Sequence, residues 1–378
     1  MKIHVAFSGL GAGNIGDEAM MQGFLSIYPL PDGTTIEVWD KDEPVLKQFP
    51  DCLRFVNYTD TEMCTKLYKE ADMVLIVGAT IVNEMDGLEW PLKTLGQKYE
   101  TCHRMAVPCH AVGVGADQIR SHGGRQLFNS GFLPIESWTV RSVRSRDNLT
   151  TLGVSPERVC VTADLAWLTP LEGIDKDWAQ WYWKQQGRRQ DAPLIGVNMV
   201  NERWRDNAYI KTQFAQALDE LTDIDGFQIA FLCNETREGN FFDKEAALSV
   251  VSLMRSRPII VPNKYFTPQE MAALLSFCDL TVSWRYHFTL LSFLTGSVPL
   301  SVIRGEKLLE LVEDISTINI GTPESITKQT LIDEVRRAFG NNERSKTQQA
   351  TIIDVMRQRS KGNAYFIKNA GDMLTEKT

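Results

Sequence analysis

Trp284-Arg285-Tyr286-His287-Phe288 follows a short run with strand character, residues 280–283, and opens an apolar, helix-like segment that closes on Gly296-Ser297-Val298-Pro299-Leu300. An arginine and a histidine are costly at a strand-to-helix turn unless something negative sits there. Free backbone N–H groups at a helix start and a fixed guanidinium together make an anion site. The turn is therefore expected to bind a phosphorylated or carboxylated small molecule. Arg285 would clamp it bidentately. His287, within the first helical turn, could donate or accept a proton near neutral pH. A core histidine bonded to backbone is its plain alternative. Lys307, after the apolar run 298–303, adds a cation to the same edge.

Three earlier turns share this character. Ser8 to Ala19 holds Gly9, Gly11, Gly13 and Gly16 and leads into a helical pattern, so its backbone can approach a ligand closely. It contains G-x-G-x-x-G, and Asp40 stands where a ribose-binding acid would be expected. Asp17 and Glu18 at the helix start would repel a pyrophosphate, which argues against a dinucleotide. Asp17 reads either as a chemical group or as an acid favoured by the helix dipole. Ile76 to Glu84 is a second turn of small residues after an apolar run. Its Glu84 is either a ligand-facing carboxylate or a solvated one. The third, Val140-Arg141-Ser142-Val143-Arg144-Ser145, puts Arg141 at a strand end, where a facing anion would offset the helix dipole's penalty on a cation.

These turns need a scaffold, and the chain supplies alternating strand-like and helix-like segments from its first residue. That alternation predicts parallel sheets covered by helices on both faces. The expected fold class is α/β, with two Rossmann-like doubly wound domains facing a cleft. The divisions expected are an N-terminal domain over 1–172, a linker over 173–193, a C-terminal domain over 194–340, and a helix and tail over 341–378. Ligands of such sheets lie beyond the carboxyl ends of the strands. Both halves would then point their turns into the same cleft. The aromatic cluster Trp178, Trp181, Tyr182 and Trp183 is expected to pack in the groove between domains.

Composition narrows the class. The chain has 378 residues, 43% apolar and 23% charged, and a net charge of −8. These values suit a globular protein and argue against a nucleic-acid partner. No uninterrupted apolar run reaches about 18 residues, so no spanning helix is expected. No secretory leader is read at the start. Arg336, Arg337, Arg357, Arg359, Lys361 and Lys368 make the C-terminal stretch basic. It reads as a solvated helical face, with peripheral contact to an anionic membrane as the alternative. Seven cysteines without close pairing suit reduced thiols and a cytoplasmic location. Cys102-His103 and Cys109-His110 have the residue types of a metal site, but the second pair lies in a strand-like run, and no metal is expected.

In this order, the pieces resemble the polysaccharide pyruvyl transferase family. Gly13-Asn14-Ile15-Gly16-Asp17-Glu18-Ala19 and Val77-Gly78 match its early turns. Val140-Arg141 with Ser145 and Leu152-Gly153-Val154 is similar to its V-R-D-x-x-S…L-G-V stretch, and Asp164 has a counterpart. Arg285-Tyr286-His287 with Gly296, Pro299 and Lys307 is similar to R-L-H…G-x-P…K. The chain departs at Ser142, where the family usually has Asp, and at Gly78-Ala79-Thr80, where it has a run of glycines.

The resemblance implies a glycosyltransferase-B-like fold, phosphoenolpyruvate as donor and a sugar of a glycan or its precursor as acceptor. The product would be a pyruvate ketal. It assigns Arg141 and Arg285 to the donor's phosphate and carboxylate and puts His287 beside the reacting carbon. Asn14, Gly16 and Lys307 complete the expected substrate-binding set. His287, then Asp17, are the expected catalytic groups. No cofactor is implied. Arg285→Ala is expected to abolish donor binding with the fold intact. Two other readings stay open. One is a nucleotide-sugar glycosyltransferase, with Glu306, Glu310 or Glu313 holding a ribose. The other is a non-catalytic binding relative. Whether the acceptor is lipid-linked, and the oligomeric state, are not fixed by the sequence.

Overall fold

A computed structural model of the chain describes the backbone of all residues except 42, 85–86, 202–206 and 376–378; side chains are also left undescribed at 44, 342–346 and 365–375. The chain forms two compact units. The first comprises residues 1–12, 17–170 and 355–378, and the second 13–16 and 171–354.

The first unit is built on β1 (Ile3–Phe7), β2 (Thr35–Val38), β3 (Arg54–Asn57), β4 (Met73–Val77), β5 (Thr80–Val82), β6 (Cys109–Ala116), β7 (Ser137–Val140) and β8 (Val159–Val161). The sheet order is β3-β2-β1-β4-β6-β7-β8, with β5 pairing β6, and the strand pairs are parallel. Both faces of such a sheet are covered, so central strands read as continuous apolar runs. Met73 to Val77 is buried at every position. Its helices are α1 (Ile15–Ile27), α2 (Thr61–Glu70), α3 (Thr94–Arg104), α4 (His122–Gly131) and α5 (Val143–Thr151). β5 goes unread in the sequence because three residues give no periodicity to detect.

The second unit contains β9 (Leu194–Asn198), β10 (Gln228–Phe231), β11 (Ile259–Ile260), β12 (Leu280–Ser283), β13 (Val298–Ser301) and β14 (Ile318–Asn319). They form a parallel sheet in the order β11-β10-β9-β12-β13-β14. Its helices are α6 (Lys176–Gln185), α7 (Ala208–Asp223), α8 (Asp243–Val251), α9 (Pro268–Leu275), α10 (Tyr286–Leu294), α11 (Glu306–Asp314) and α12 (Lys328–Gly340).

Two expectations about organisation change. The segment read as a linker carries α6, which is part of the second unit. Ala179, Tyr182 and Trp183 join its core with Phe266 and Leu274. Trp183 donates its indole N–H to the Leu274 carbonyl at 3.1 Å. These rings are buried in the core of that unit, although Trp181 stays 56% exposed. The segment read as a tail is α13 (Asn342–Thr375), and from Val355 it belongs to the first unit. Asn363 explains why. It is fully buried, its amide oxygen accepts from Thr139 and Thr162 at 2.5 and 2.9 Å, and its amide nitrogen donates to Ala163 O.

Several basic residues of this stretch have local partners. Arg336 is bidentate to Asp225 and Arg337 pairs with Glu334. Arg357 and Arg359 donate to the carbonyls of Trp167 and Thr162. The Lys368 side chain lies outside the described residues. Among the described residues, no helix is long and apolar enough to cross a membrane, and no group of three or more His, Cys, Asp or Glu is arranged to hold a metal ion.

Candidate functional site

Residues 13–16 belong to the second unit and lead from a single β-bridge residue into the start of α1. Asn14 bridges Glu235 in antiparallel fashion, Ile15 N–H donates to Asn234 O at 3.1 Å, and Thr236 N–H donates to Gly13 O at 2.8 Å. The Asn14 side-chain oxygen accepts from Gly16 N–H at 3.1 Å and from the Asn234 amide at 3.0 Å. Ile15 is buried with Phe288 and Leu291 of α10. Gly16 lies directly on His287: a Cβ built at Gly16 would fall 1.9 Å from the imidazole Nδ1. Glycine at 16 is therefore a requirement of close approach. Two motifs far apart in the sequence thus meet in one place.

Arg285 follows β12 and precedes α10. It is the N-cap residue of α10, and its side chain makes no capping hydrogen bond to the helix N–H groups. Its Nε and Nη2 donate to Asp243 Oδ1 at 3.0 and 2.6 Å, and Nη2 lies 2.8 Å from Glu235 Oε2. Both carboxylates are buried. Burial opposes the charge on Arg285, but Asp243 and Glu235 outweigh it and raise the pKa above the usual arginine value. Asp243 Oδ2 is held in turn by Asn198 Nδ2 and Asn234 N–H, both at 2.8 Å. Arg237 pairs with the other oxygen of Glu235. This cage changes the expectation that Arg285→Ala leaves the fold intact, since that change leaves buried Asp243 without a charged partner and Glu235 with Arg237 alone. Lys307 stands exposed near the start of α11.

The first unit holds Arg141 and Asp17. Arg141 follows β7 and is only 6% exposed. Its Nη2 donates to Thr80 Oγ1 at 2.6 Å, and Nη1 lies 3.5 Å from Asp164 Oδ2. The guanidinium rests on Gly115, where an added Cβ would be 2.5 Å from Nη2. Arg141 is thus not the surface arginine that a helix start could carry. Asp164 also caps the turn after it, accepting from Ala166 N–H at 2.9 Å. Ser142 is the N-cap of α5 and accepts from Ser145 N–H at 3.1 Å. Serine and aspartate serve that position about equally well, which accounts for the Ser142 departure. Ala79 adopts φ +63° directly after Gly78 at φ +71°, so it keeps a backbone shape that favours glycine. Asp17 lies against Gly9, where an added Cβ would meet its carboxyl carbon at 2.5 Å. Glu84 holds the start of α4 in place, accepting from Arg120 N–H at 2.7 Å and from the Ser121 hydroxyl at 2.6 Å.

Asn14, Gly16, Arg285 and His287 therefore belong to one cluster of the second unit, and Arg141 with Thr80 and Asp164 to one cluster of the first. Glu235, Asp243, Asn198 and Asn234 were missed in the sequence. Only their positions could have marked them: Asn198 ends β9, and Asn234 and Glu235 follow β10, both at carboxyl ends of strands.

The chain has a glycosyltransferase-B-like fold of two Rossmann-like domains. Solved structures similar to it include a putative UDP-N-acetylglucosamine 2-epimerase from Listeria monocytogenes, 14% identical with a TM-score of 0.65, covering 100% of this chain and 97% of that one. Alr3699/HepE of Anabaena, solved with UDP-glucose, is 13% identical with a TM-score of 0.65 and 99% coverage of both chains. A glycosyltransferase from Rickettsia africae ESF-5 is 11% identical with a TM-score of 0.65, covering 99% of this chain and 97% of that one. At such identities the likeness concerns the fold alone.

The polysaccharide pyruvyl transferase family model matches residues 14–297, and the chain belongs to that family. It is also 20% identical over 304 residues to the amylovoran biosynthesis protein AmsJ of Erwinia amylovora, covering 77% of this chain and 71% of that protein.

Proposed function

We propose that this transferase moves a pyruvyl group from phosphoenolpyruvate to two hydroxyls of one sugar, forming a cyclic ketal. The observation that carries the reading is the seating of His287 on Gly16, beside the cluster of Asn14, Glu235 and Arg285. It supports a fixed proton-transfer group next to a fixed cation, as the reaction requires. His287 protonates the donor methylene carbon, which becomes the methyl group, and positive charge develops at the neighbouring carbon. One sugar hydroxyl attacks that carbon and loses its proton to the base. Phosphate leaves as its C–O bond breaks, and the second hydroxyl closes the ring. Two hydroxyl protons balance the new methyl C–H and the proton on departing phosphate. Arg285 positions the donor, and Lys307 assists phosphate departure. The acceptor belongs to a polysaccharide or its precursor.

The test is a thermal-shift comparison of phosphoenolpyruvate with UDP- and GDP-sugars, followed by detection of ketal and released phosphate on a panel of glycosides. Stabilisation by phosphoenolpyruvate with matched phosphate and ketal yields is expected. Stabilisation by a nucleotide sugar alone would replace the reading with glycosyl transfer. Donor binding with no ketal on any acceptor would point to a binding relative.

A further inference from the structure

Within the first unit, three half-buried aromatic rings gather at the carboxyl ends of β2 and β3, the edge where open α/β sheets bind ligands. Trp39 lies 4.4 Å from Tyr58 and 5.1 Å from Trp90 between ring centroids, with interplanar angles of 57° and 60°. A recess of about 10 Å³ opens beside them and reaches Gly9. It has room for about one water, so a larger ligand would lie across its mouth. The group is joined to the glycine-rich turn: Trp39 N–H donates to Leu10 O at 2.8 Å, and the Asp40 backbone packs on Gly11. A purely structural ring pair in this unit looks different, since Tyr99 and Phe132 are 1% and 0% exposed.

Lys98 supplies the polar part. Its ammonium lies 5.3 Å over the Tyr58 ring, pairs with Glu37, and donates to Tyr58 O at 3.1 Å. These two acceptors leave one of its three N–H groups for a ligand. Glu37 is buried, and His4 and Tyr68 bond its other oxygen. The Lys98–Glu37 pair is charge-balanced, which suits a neutral polyol better than an anion. Flat faces for apolar C–H groups, beside a fixed donor, are what a pyranose ring needs.

We propose that Trp39, Tyr58 and Trp90, with Lys98, form a platform on which a pyranose ring of the acceptor stacks. The proposal rests on the pyruvyl-transfer reading for the identity of that sugar as the acceptor. The test uses the full chain and methyl glycosides of galactose, glucose and mannose, with binding read by saturation-transfer NMR and titrated. Trp90→Ala and Trp39→Ala should each weaken the best glycoside about 10-fold, and Trp90→Phe, which keeps a ring face, should stay near wild type. Thermal stabilisation by phosphoenolpyruvate should be the same in all three variants, which also shows them folded. Unchanged glycoside affinity in both alanine variants overturns the platform, as does the absence of binding by every glycoside in the millimolar range. A wild-type protein that binds glycosides through these tryptophans but neither binds nor consumes phosphoenolpyruvate keeps the platform and sinks the donor reading.

Discussion

Arg285 and Arg141 each follow a parallel strand, β12 in the second unit and β7 in the first, yet their charges are balanced by different means. Arg285 is gripped by two buried carboxylates at 2.6 and 2.8 Å. Arg141 lies on a glycine backbone, donates to a neutral hydroxyl, and has a carboxylate at 3.5 Å. The same motif position thus gives a guanidinium gripped by two carboxylates in one unit and one resting on a glycine backbone beside a carboxylate in the other. A strand-end arginine tells the reader where a cation is, and its neighbours decide what removing it would cost.

Stability measurements can break that comparison. Arg285→Ala should cost about 3–5 kcal/mol, because Asp243 would remain buried without a charged partner and Glu235 would keep Arg237 alone. Arg141→Ala should cost about 1–3 kcal/mol, because Asp164 keeps the Ala166 N–H bond. Urea unfolding of both variants reads the difference, and an equal or reversed order removes the distinction. Donor binding then has to be assayed in Arg285→Lys, which keeps the charge, since loss of donor affinity in Arg285→Ala would be confounded with loss of the cage.

The glycine seats sharpen it next. His287→Ala should lower turnover at least about 100-fold, with donor affinity much less affected. Gly16→Ala should also lower turnover, because the new methyl occupies the place of the ring. In the double variant the two losses should not add, since the obstructed ring is already gone. Steady-state kinetics of the four proteins decides this. A further full loss on adding Gly16→Ala to His287→Ala would show that the glycine serves the backbone and not the imidazole.

How much of this was legible follows from range. Most strands could be read because each is a local apolar run, and glycine turns because each needs only its own backbone. Arg141, Arg285 and His287 stood out as costly residues at such turns. Asp243 and Glu235 did not, because they lie in the polar stretch Cys233-Asn234-Glu235-Thr236-Arg237-Glu238-Gly239-Asn240-Phe241-Phe242-Asp243. That composition reads as solvated loop, and only pairing with Arg285, 42 residues beyond Asp243, gives it meaning. Gly16 against His287 is the same problem over a longer separation. The return of α13 to the first unit was hidden for a related reason: Asn363 looks like any helix-surface amide until Thr139 and Thr162 are found beside it.

Glu18 carries the smallest expected effect and bears on the same contrast, because it is a buried acid with no counter-ion among the described residues. It sits in the first turn of α1, fully buried, and neither carboxyl oxygen has a hydrogen-bond partner among those residues. Burial, reinforced by the neighbouring Asp17 charge, raises its pKa well above the usual carboxylate value. The sign follows from proton counting. Between the ordinary glutamate range and the raised folded value, the unfolded chain has released this proton and the folded chain has kept it. Stability must then fall as pH rises through that window. Glu18→Gln removes the titration while keeping the shape. The variant and wild type should have similar stability at acidic pH, and the variant should become the more stable as pH approaches neutrality. Unfolding curves across pH for both proteins check this. Parallel pH profiles would mean that Glu18 finds a counter-charge or ordered water in solution, as the buried acids Asp164 and Glu37 of the same unit have Arg141 and Lys98.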